Sequence, residues 1–227
     1  GEYYYQKARL LILFDRFELS AYYAEMAVQY YQLHHNYIRL LHAQLLLAIN
    51  YTRRNLLVQA SGLYEVLKRN AHLMGQKDLY YQTLYNLAEL FKQKKDYDQA
   101  FELLAELKVS LPDDSYIYKA VLISMIEATV EMNQKDESLL RELKLLTRKT
   151  EDEYFLIYEN YFEKRMFSQP DLIAYCEEKM FPFFRKNGYI KEGKKVATEL
   201  KIFYEQKKDW EKANFYRSYE ERKAGEV

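Results

Sequence analysis

A pattern of residue types that recurs every 40 positions is the feature that most constrains the fold of this 227-residue chain. Within each period, apolar residues at helical spacing precede a short polar turn and a second apolar stretch. Such a unit is typical of two helices that cannot bury their apolar faces alone, so neighbouring units must stack. The recurrence is clearest where Leu47, Ala48 and Tyr51 are matched by Leu87, Ala88 and Phe91.

Turn-forming residues are scarce, with 6 Gly and 3 Pro in the whole chain. Average proteins contain about 12% of these two residues together. Sandwiches, barrels and α/β folds need them at many turns, so this composition favours an almost entirely helical chain. We predict one repeat domain over residues 1–227, built from about six helical hairpins near residues 2–36, 37–75, 76–113, 115–150, 151–187 and 189–224.

The third hairpin shows the pattern in its most complete form. Its polar turn, residues 94–96, ends in Asp96, a residue type that commonly caps the start of a helix. Its second helix should end before Pro112, because the residue that precedes a proline disfavours helix. The small residues Ala88 and Ala100 should lie where the two helices cross most closely.

This spacing of apolar, small and aromatic residues resembles the tetratricopeptide repeat (TPR). The positions that carry the resemblance are Leu84, Leu87, Ala88, Phe91, Ala100, Leu104, Leu107 and Pro112. The resemblance implies an all-α, right-handed superhelical solenoid. The 40-residue period exceeds the usual 34 and leaves HEAT-like or armadillo-like repeats as the rival fold. The turn at residues 94–97, which recurs as Lys-Lys-Asp-Trp at 207–210, favours the TPR interpretation.

The whole chain, rich in Tyr and Lys and poor in Gly, also resembles the C-terminal repeat domain of Gram-positive peptide-pheromone receptors, the Rap, PlcR, PrgX and Rgg-type regulators. That resemblance implies a cytoplasmic, peptide-binding regulatory domain for quorum-sensing-type control of transcription. It also implies a possible homodimer through the last hairpin, with Trp210, Phe215, Tyr216 and Tyr219 as candidates. DNA-binding members carry a helix-turn-helix domain before the repeats, and the start at Gly1 suggests that such a domain is missing here.

Residues for other functions are sparse. The 34 basic and 34 acidic residues balance, which argues against direct nucleic-acid contact by this segment. No apolar run reaches the roughly 20 residues needed to span a membrane. A single cysteine, Cys176, indicates a reducing compartment. The sequence has no metal-ligand spacing, phosphate-binding loop or catalytic constellation, so we expect no enzyme activity, cofactor or metal. The adjacent Glu177 and Glu178 read as a solvated face.

Since the first helix of each TPR hairpin lines the concave face, a register anchored on Ala88 predicts the peptide-binding residues. Asn86 and Asn160 fall at equivalent positions, and each amide could pair with the N–H and C=O of an extended peptide. Groove asparagines serve this way in the resembling receptors. Methionine would add adaptable apolar contact. The full predicted set is Gln82, Tyr85, Asn86, Glu89, Met125, Thr129, Asn133, Asn160 and Glu163.

Two interpretations stay open. The predicted set could be ordinary solvated residues on an exposed helix face. Equally, the domain could be a constitutive TPR adaptor that docks a protein segment and switches nothing. A helix-turn-helix encoded upstream of Gly1 would favour the receptor.

Overall fold

The computed structural model describes residues 1–113 and 115–221, and these residues are helical almost throughout. The end of the predicted last hairpin, residues 222–224, lies outside the described residues. The helices are α1 (Glu2–Leu13), α2 (Phe17–Leu33), α3 (Tyr37–Arg53), α4 (Leu57–Leu73), α5 (Lys77–Gln93), α6 (Tyr97–Ser110), α7 (Tyr116–Glu131), α8 (Glu137–Thr150), α9 (Glu153–Met166), α10 (Leu172–Tyr175), α11 (Phe181–Lys186), α12 (Ile190–Gln206) and α13 (Trp210–Glu221). A π-helical segment, Cys176–Met180, joins α10 to α11.

Contacts divide the chain into two compact units, Gly1–Met132 and Asn133–Val227. The first unit contains α1 to α7, and the described part of the second contains α8 to α13. The single domain over residues 1–227 stays a prediction.

The turns of the first unit explain the period of the sequence. Shortly after the end of each helix from α1 to α5, one residue has a left-handed backbone conformation. These residues are spaced 20 positions apart and are Asp15, His35, Asn55, Gly75 and Lys95. At the last of these turns, the Lys95 amide donates to the Lys92 carbonyl and the Asp96 amide donates to the Phe91 carbonyl. This pair of hydrogen bonds is the Schellman motif that ends helices. One helix and its turn therefore occupy 20 residues, and a hairpin occupies 40.

The predicted ends of α6 are confirmed. The Asp96 side chain accepts a hydrogen bond from the Gln99 amide at 3.3 Å, as a capping residue does. The helix ends at Ser110, and Leu111 is already extended before Pro112.

Small residues allow the helices of the first unit to approach closely. Ala88 and Ala100 are fully buried, and α5 packs against α6. Each helix from α1 to α7 packs against the next in sequence, and the odd-numbered helices also contact one another in succession. The odd-numbered helices thus form one layer of the unit.

The second unit contains one turn that matches the first unit and one hairpin that departs from the regular pattern. Lys208, in the turn between α12 and α13, has φ +61°, close to the +62° of Lys95 in the matching turn. Between α9 and α12, by contrast, the π-helical segment interrupts the helix, and Pro182 follows it at the start of α11. Ala174 in α10, the small residue of this hairpin, is exposed and therefore does not lie at a close crossing of two helices. No described helix combines the length and the hydropathy that crossing a membrane requires.

Candidate functional site

Four of the predicted residues share one face of α5. Gln82, Tyr85, Asn86 and Glu89 follow the i, i+3, i+4, i+7 spacing that aligns side chains along a helix. Gln82 is exposed and the other three are half-buried. The opposite face of the helix enters the core, so the register anchored on Ala88 correctly separates these two faces.

The two predicted asparagines have the same local geometry. The Asn86 Nδ2 donates to the Gln82 carbonyl at 2.7 Å, and the Asn160 Nδ2 donates to the Leu156 carbonyl at 2.8 Å. Each bond ties the amide to its own helix four residues back, and both residues are half-buried. The geometry holds each amide in one orientation and still leaves part of its hydrogen-bonding capacity for a ligand.

An ion network lies beside Asn86, between α5 and α7. Lys92 Nζ donates to Glu89 Oε1 at 2.7 Å, to Glu127 Oε2 at 2.6 Å and to Ser124 Oγ at 3.1 Å. Ser124 in turn donates to Glu89 at 2.9 Å. Burial alone would lower the pKa of Lys92, but the charges of Glu127 and Glu89 outweigh it and raise that pKa. Lys92 therefore stays protonated, and its hydrogen bonds link α5 to α7.

Tyr85 lies next to this network. Burial raises the pKa of the Tyr85 hydroxyl to about 12, and the negative charge of Glu89 acts in the same direction. The side chain also forms a hydrogen bond with Ser124. At neutral pH this hydroxyl is consequently a neutral donor or acceptor.

Three further predicted residues do not lie on an exposed helix face. Met125 is 4% exposed and Thr129 is 2% exposed, because α7 is buried on most sides. Thr129 Oγ1 donates to the Ile126 carbonyl of its own helix at 2.9 Å. Asn133 is exposed, but it follows the end of α7 with φ +56° and so belongs to a turn.

The remaining predicted residues lie on α9. Glu163 forms an ion pair with Lys144 of α8 at 2.8 Å. The neighbouring Glu159 is buried and accepts a hydrogen bond from Thr147 at 2.5 Å. Asn160 also forms a side-chain hydrogen bond with Tyr175. The α9 face is thus held by residues of α8 and α10.

The sequence analysis did not predict a cluster of hydrogen-bond donors around one carboxylate in the second unit. Glu177, which we read as solvated, accepts hydrogen bonds from Tyr204 at 2.5 Å, Lys212 at 2.8 Å and Tyr216 at 3.2 Å. Burial raises its pKa, but the bonds from Lys212 and Tyr204 prevail and lower it. The partners lie 27 to 39 positions away, so no local motif marks them. Among the described residues, no group of three or more His, Cys, Asp or Glu could hold a metal ion.

Several solved structures share the fold of this chain. No protein-family model and no curated protein sequence matches the chain. The quorum sensor NprR from B. thuringiensis, in its apo form, aligns with a TM-score of 0.73 and 21% identity over 95% of this chain. The Rap conjugation gene regulator of plasmid pLS20, in complex with the Phr* peptide, aligns with a TM-score of 0.78 and 17% identity over 97% of this chain. Aspartyl phosphate phosphatase F from Bacillus subtilis aligns with a TM-score of 0.81 and 19% identity over 100% of this chain.

The chain spans 62% of the length of the NprR and pLS20 Rap chains and 61% of that of the phosphatase. At these identities the likeness shows the fold. This chain therefore has the all-α, TPR-like repeat fold found in Gram-positive peptide-pheromone receptors of the Rap and NprR type.

Proposed function

We propose that this chain is the peptide-binding regulatory domain of a cytoplasmic, peptide-sensing transcriptional regulator. The observation that carries the proposal is the half-buried Asn86, whose amide is tied to its own helix on the less buried face of α5. The fold shared with a Rap protein in complex with a Phr* peptide supports it.

The proposed mechanism rests on recognition of a peptide backbone. An asparagine amide can accept from one peptide N–H and donate to one peptide C=O, which binds an extended chain whatever its side chains. Gln82, Tyr85 and Glu89 flank Asn86 on the same face and would contact the side chains. The ion network of Lys92 makes this face rigid before the ligand arrives, which reduces the ordering cost of binding.

In the second unit, both N–H groups of Asn160 are used by Leu156 and Tyr175, so its Oδ1 would accept from a peptide N–H, and Glu163 would contact side chains beside it. Met125 and Thr129 are buried, so we assign them to support of the binding face. The regulated response would pass to a DNA-binding domain outside this chain, and the peptide would act through unequal affinity for two conformations.

Alanine substitution of the two asparagines tests the proposal. A library of short synthetic peptides is first screened by thermal shift, since a ligand at 100 times its dissociation constant adds about 2.7 kcal/mol of stability. Asn86→Ala and Asn160→Ala should each weaken binding of the selected peptide about tenfold, as expected for the loss of one or two hydrogen bonds. Helicity and melting temperature should stay nearly unchanged.

Asn70→Ala is the matched control, because Asn70 is a half-buried asparagine on α4, outside the odd-numbered layer. It should leave the affinity unchanged. Equal binding by all three variants would refute the proposed backbone contact. If binding alters no amide exchange outside the contact residues, the domain is a constitutive adaptor instead.

A further inference from the structure

A cavity of about 430 Å³ lies in the second unit, where the π-helical segment passes into α11. Its volume is in the lower part of the range of small-molecule pockets. The π-helical segment and α11 supply five of its lining residues, and α13 supplies the other two. The cavity shares no residue with the proposed peptide-binding face, since Asn160 and Glu163 lie on α9.

The irregular helix beside the cavity sets this hairpin apart from the regular repeats. The Phe181 amide donates to the Cys176 carbonyl, five residues back rather than four. Pro182 has no N–H to donate, so the regular series of backbone hydrogen bonds is broken at the next position as well. Because π-helical segments within helices frequently occur at functional sites, this departure makes the cavity a candidate site.

The apolar part of the lining is aromatic. Phe181 and Tyr216 are each 4% exposed, and their rings lie edge to face with centroids 5.3 Å apart. Phe215 is 50% exposed, and its ring meets that of Phe181 at 75° with centroids 6.3 Å apart. The exposed part of Phe215 can therefore pack against the ring of a ligand.

The charge available on the lining is positive. Arg185 and Lys186 are exposed on α11, and within the described part of the chain neither forms an ion pair. The carboxylate of Glu177, by contrast, is already engaged by its three hydrogen-bond donors. An anion that enters the cavity therefore meets two cations that no described carboxylate neutralises.

We infer that this cavity binds a small aromatic carboxylic acid. The ring of the ligand packs on Phe215, and its carboxylate pairs with Arg185 or Lys186. A guanidinium can hold a carboxylate through two parallel hydrogen bonds, which fixes the orientation of the ligand as well as its charge. Both halves of the ligand are needed, because an exposed ion pair and a single ring contact each contribute little alone.

Three matched probes test the inference. Hydrocinnamate, the anion of phenylpropanoic acid, carries a ring and a carboxylate; hydrocinnamamide lacks the charge, and propionate lacks the ring. In NMR titrations of the whole chain, hydrocinnamate should bind with a dissociation constant of about 1 mM, as expected for a ligand of about eleven non-hydrogen atoms. The other two probes should bind about tenfold more weakly or not at all.

Substitutions at the lining locate the site. Arg185→Gln and Lys186→Gln should each weaken the binding of hydrocinnamate about threefold and together about tenfold, and should leave that of hydrocinnamamide unchanged. Phe215→Ala should weaken the binding of both probes. Lys179→Gln and Phe167→Ala, at exposed residues of the second unit outside the lining, are the matched controls and should change nothing.

Melting curves check that each variant is folded, and the two exposed cations keep the test valid if Phe215→Ala unfolds. Asn86→Ala should bind hydrocinnamate like the wild type, so failure of this site and failure of the proposed function are distinguishable. Equal binding of hydrocinnamate and its amide, or no binding at about 10 mM, would overturn the inference.

Two other results would also overturn it. One is binding of hydrocinnamate that Arg185→Gln/Lys186→Gln leaves unchanged, including binding that Arg69→Gln abolishes at the groove beside α4. The other is a dimer that Phe215→Ala converts to a monomer in sedimentation analysis, because a second copy of the chain then covers the cavity.

Discussion

At the scale of single residues, the arrangement around Lys92 shows how a charge can be kept inside a helical layer. Its ammonium group contacts two carboxylates and a hydroxyl, which together offset the cost of burial. Replacing all members of such a buried network together with apolar residues changes the stability of a protein little. Breaking it by removing one partner is costly, because the remaining charges are then uncompensated.

Replacement of Lys92 with methionine should therefore destabilise the protein by about 3 kcal/mol at pH 7, since Glu89 and Glu127 would then repel each other without a cation. The loss should shrink as the pH falls and these carboxylates take up protons. Denaturant unfolding of the variant and wild type at neutral and acid pH measures both effects. Lys77 is an exposed lysine at the start of α5, so Lys77→Met should change stability little. A loss of stability in Lys92→Met that does not depend on pH would contradict the electrostatic explanation.

At the scale of elements, the turns of the first unit carry a backbone cost wherever the left-handed position is not glycine. Non-glycine residues in the left-handed region cost roughly 1 kcal/mol each. The first unit places Asp15, His35, Asn55 and Lys95 there, and only one of its five equivalent turns uses glycine, Gly75 with φ +64°.

Introducing glycine at these turn positions should consequently raise the stability of the protein, and replacing the glycine already present should lower it. We expect Lys95→Gly to stabilise the protein by about 0.5–1 kcal/mol and Gly75→Ala to destabilise it by about 1 kcal/mol. No atom lies within 4 Å of a Cβ at Gly75, so only the backbone angle should matter there. Thermal unfolding measures both, and Gly62→Ala, within helix α4, should act in the opposite direction to Gly75→Ala. A stabilising Gly75→Ala would refute the assignment of the turn.

At the scale of the whole molecule, seven of the 24 tyrosines are buried and contribute to packing in both units. Burial raises the pKa of Tyr64 in the first unit and of Tyr175 in the second to about 12. Because the unfolded chain releases these protons near pH 10, the folded chain binds more protons between these values. The stability that they contribute is complete below pH 10 and is lost as the pH rises through 12.

Alkaline titration should therefore unfold the protein between about pH 10 and 12, and Tyr64 alone should account for about 2 kcal/mol of the loss. Tyrosinate absorbance and circular dichroism, followed together, measure the two events. Tyr64→Phe should make the decline less steep, whereas Tyr3→Phe, at an exposed tyrosine, should not. Ionisation of every tyrosine near pH 10 with no loss of structure would contradict this expectation.

Prediction from the sequence succeeded where the signal is local. The ends of α6 follow from Asp96 and Pro112, which act on their own neighbours along the chain. The separation of the less buried face of α5 from its core face follows from the helical spacing around Ala88. For Met125 and Thr129 the expectation of an accessible face was wrong, because α7 carries apolar residues on nearly all sides and gives no contrast by which to set a register.

The amino-acid sequence by itself determined the all-helical class, the 40-residue repeat and the stacking of hairpins, because capping, helical spacing and the lack of turn residues act over a few neighbours. Tertiary structure alone decided which polar groups meet, as at Glu177, and how the π-helical segment shifts the register near Ala174. The physical reason is that each residue turns a helix by about 100°, so a shift of one position moves a side chain from solvent to core. Which face of the helix a residue occupies is therefore determined by the residues packed around it.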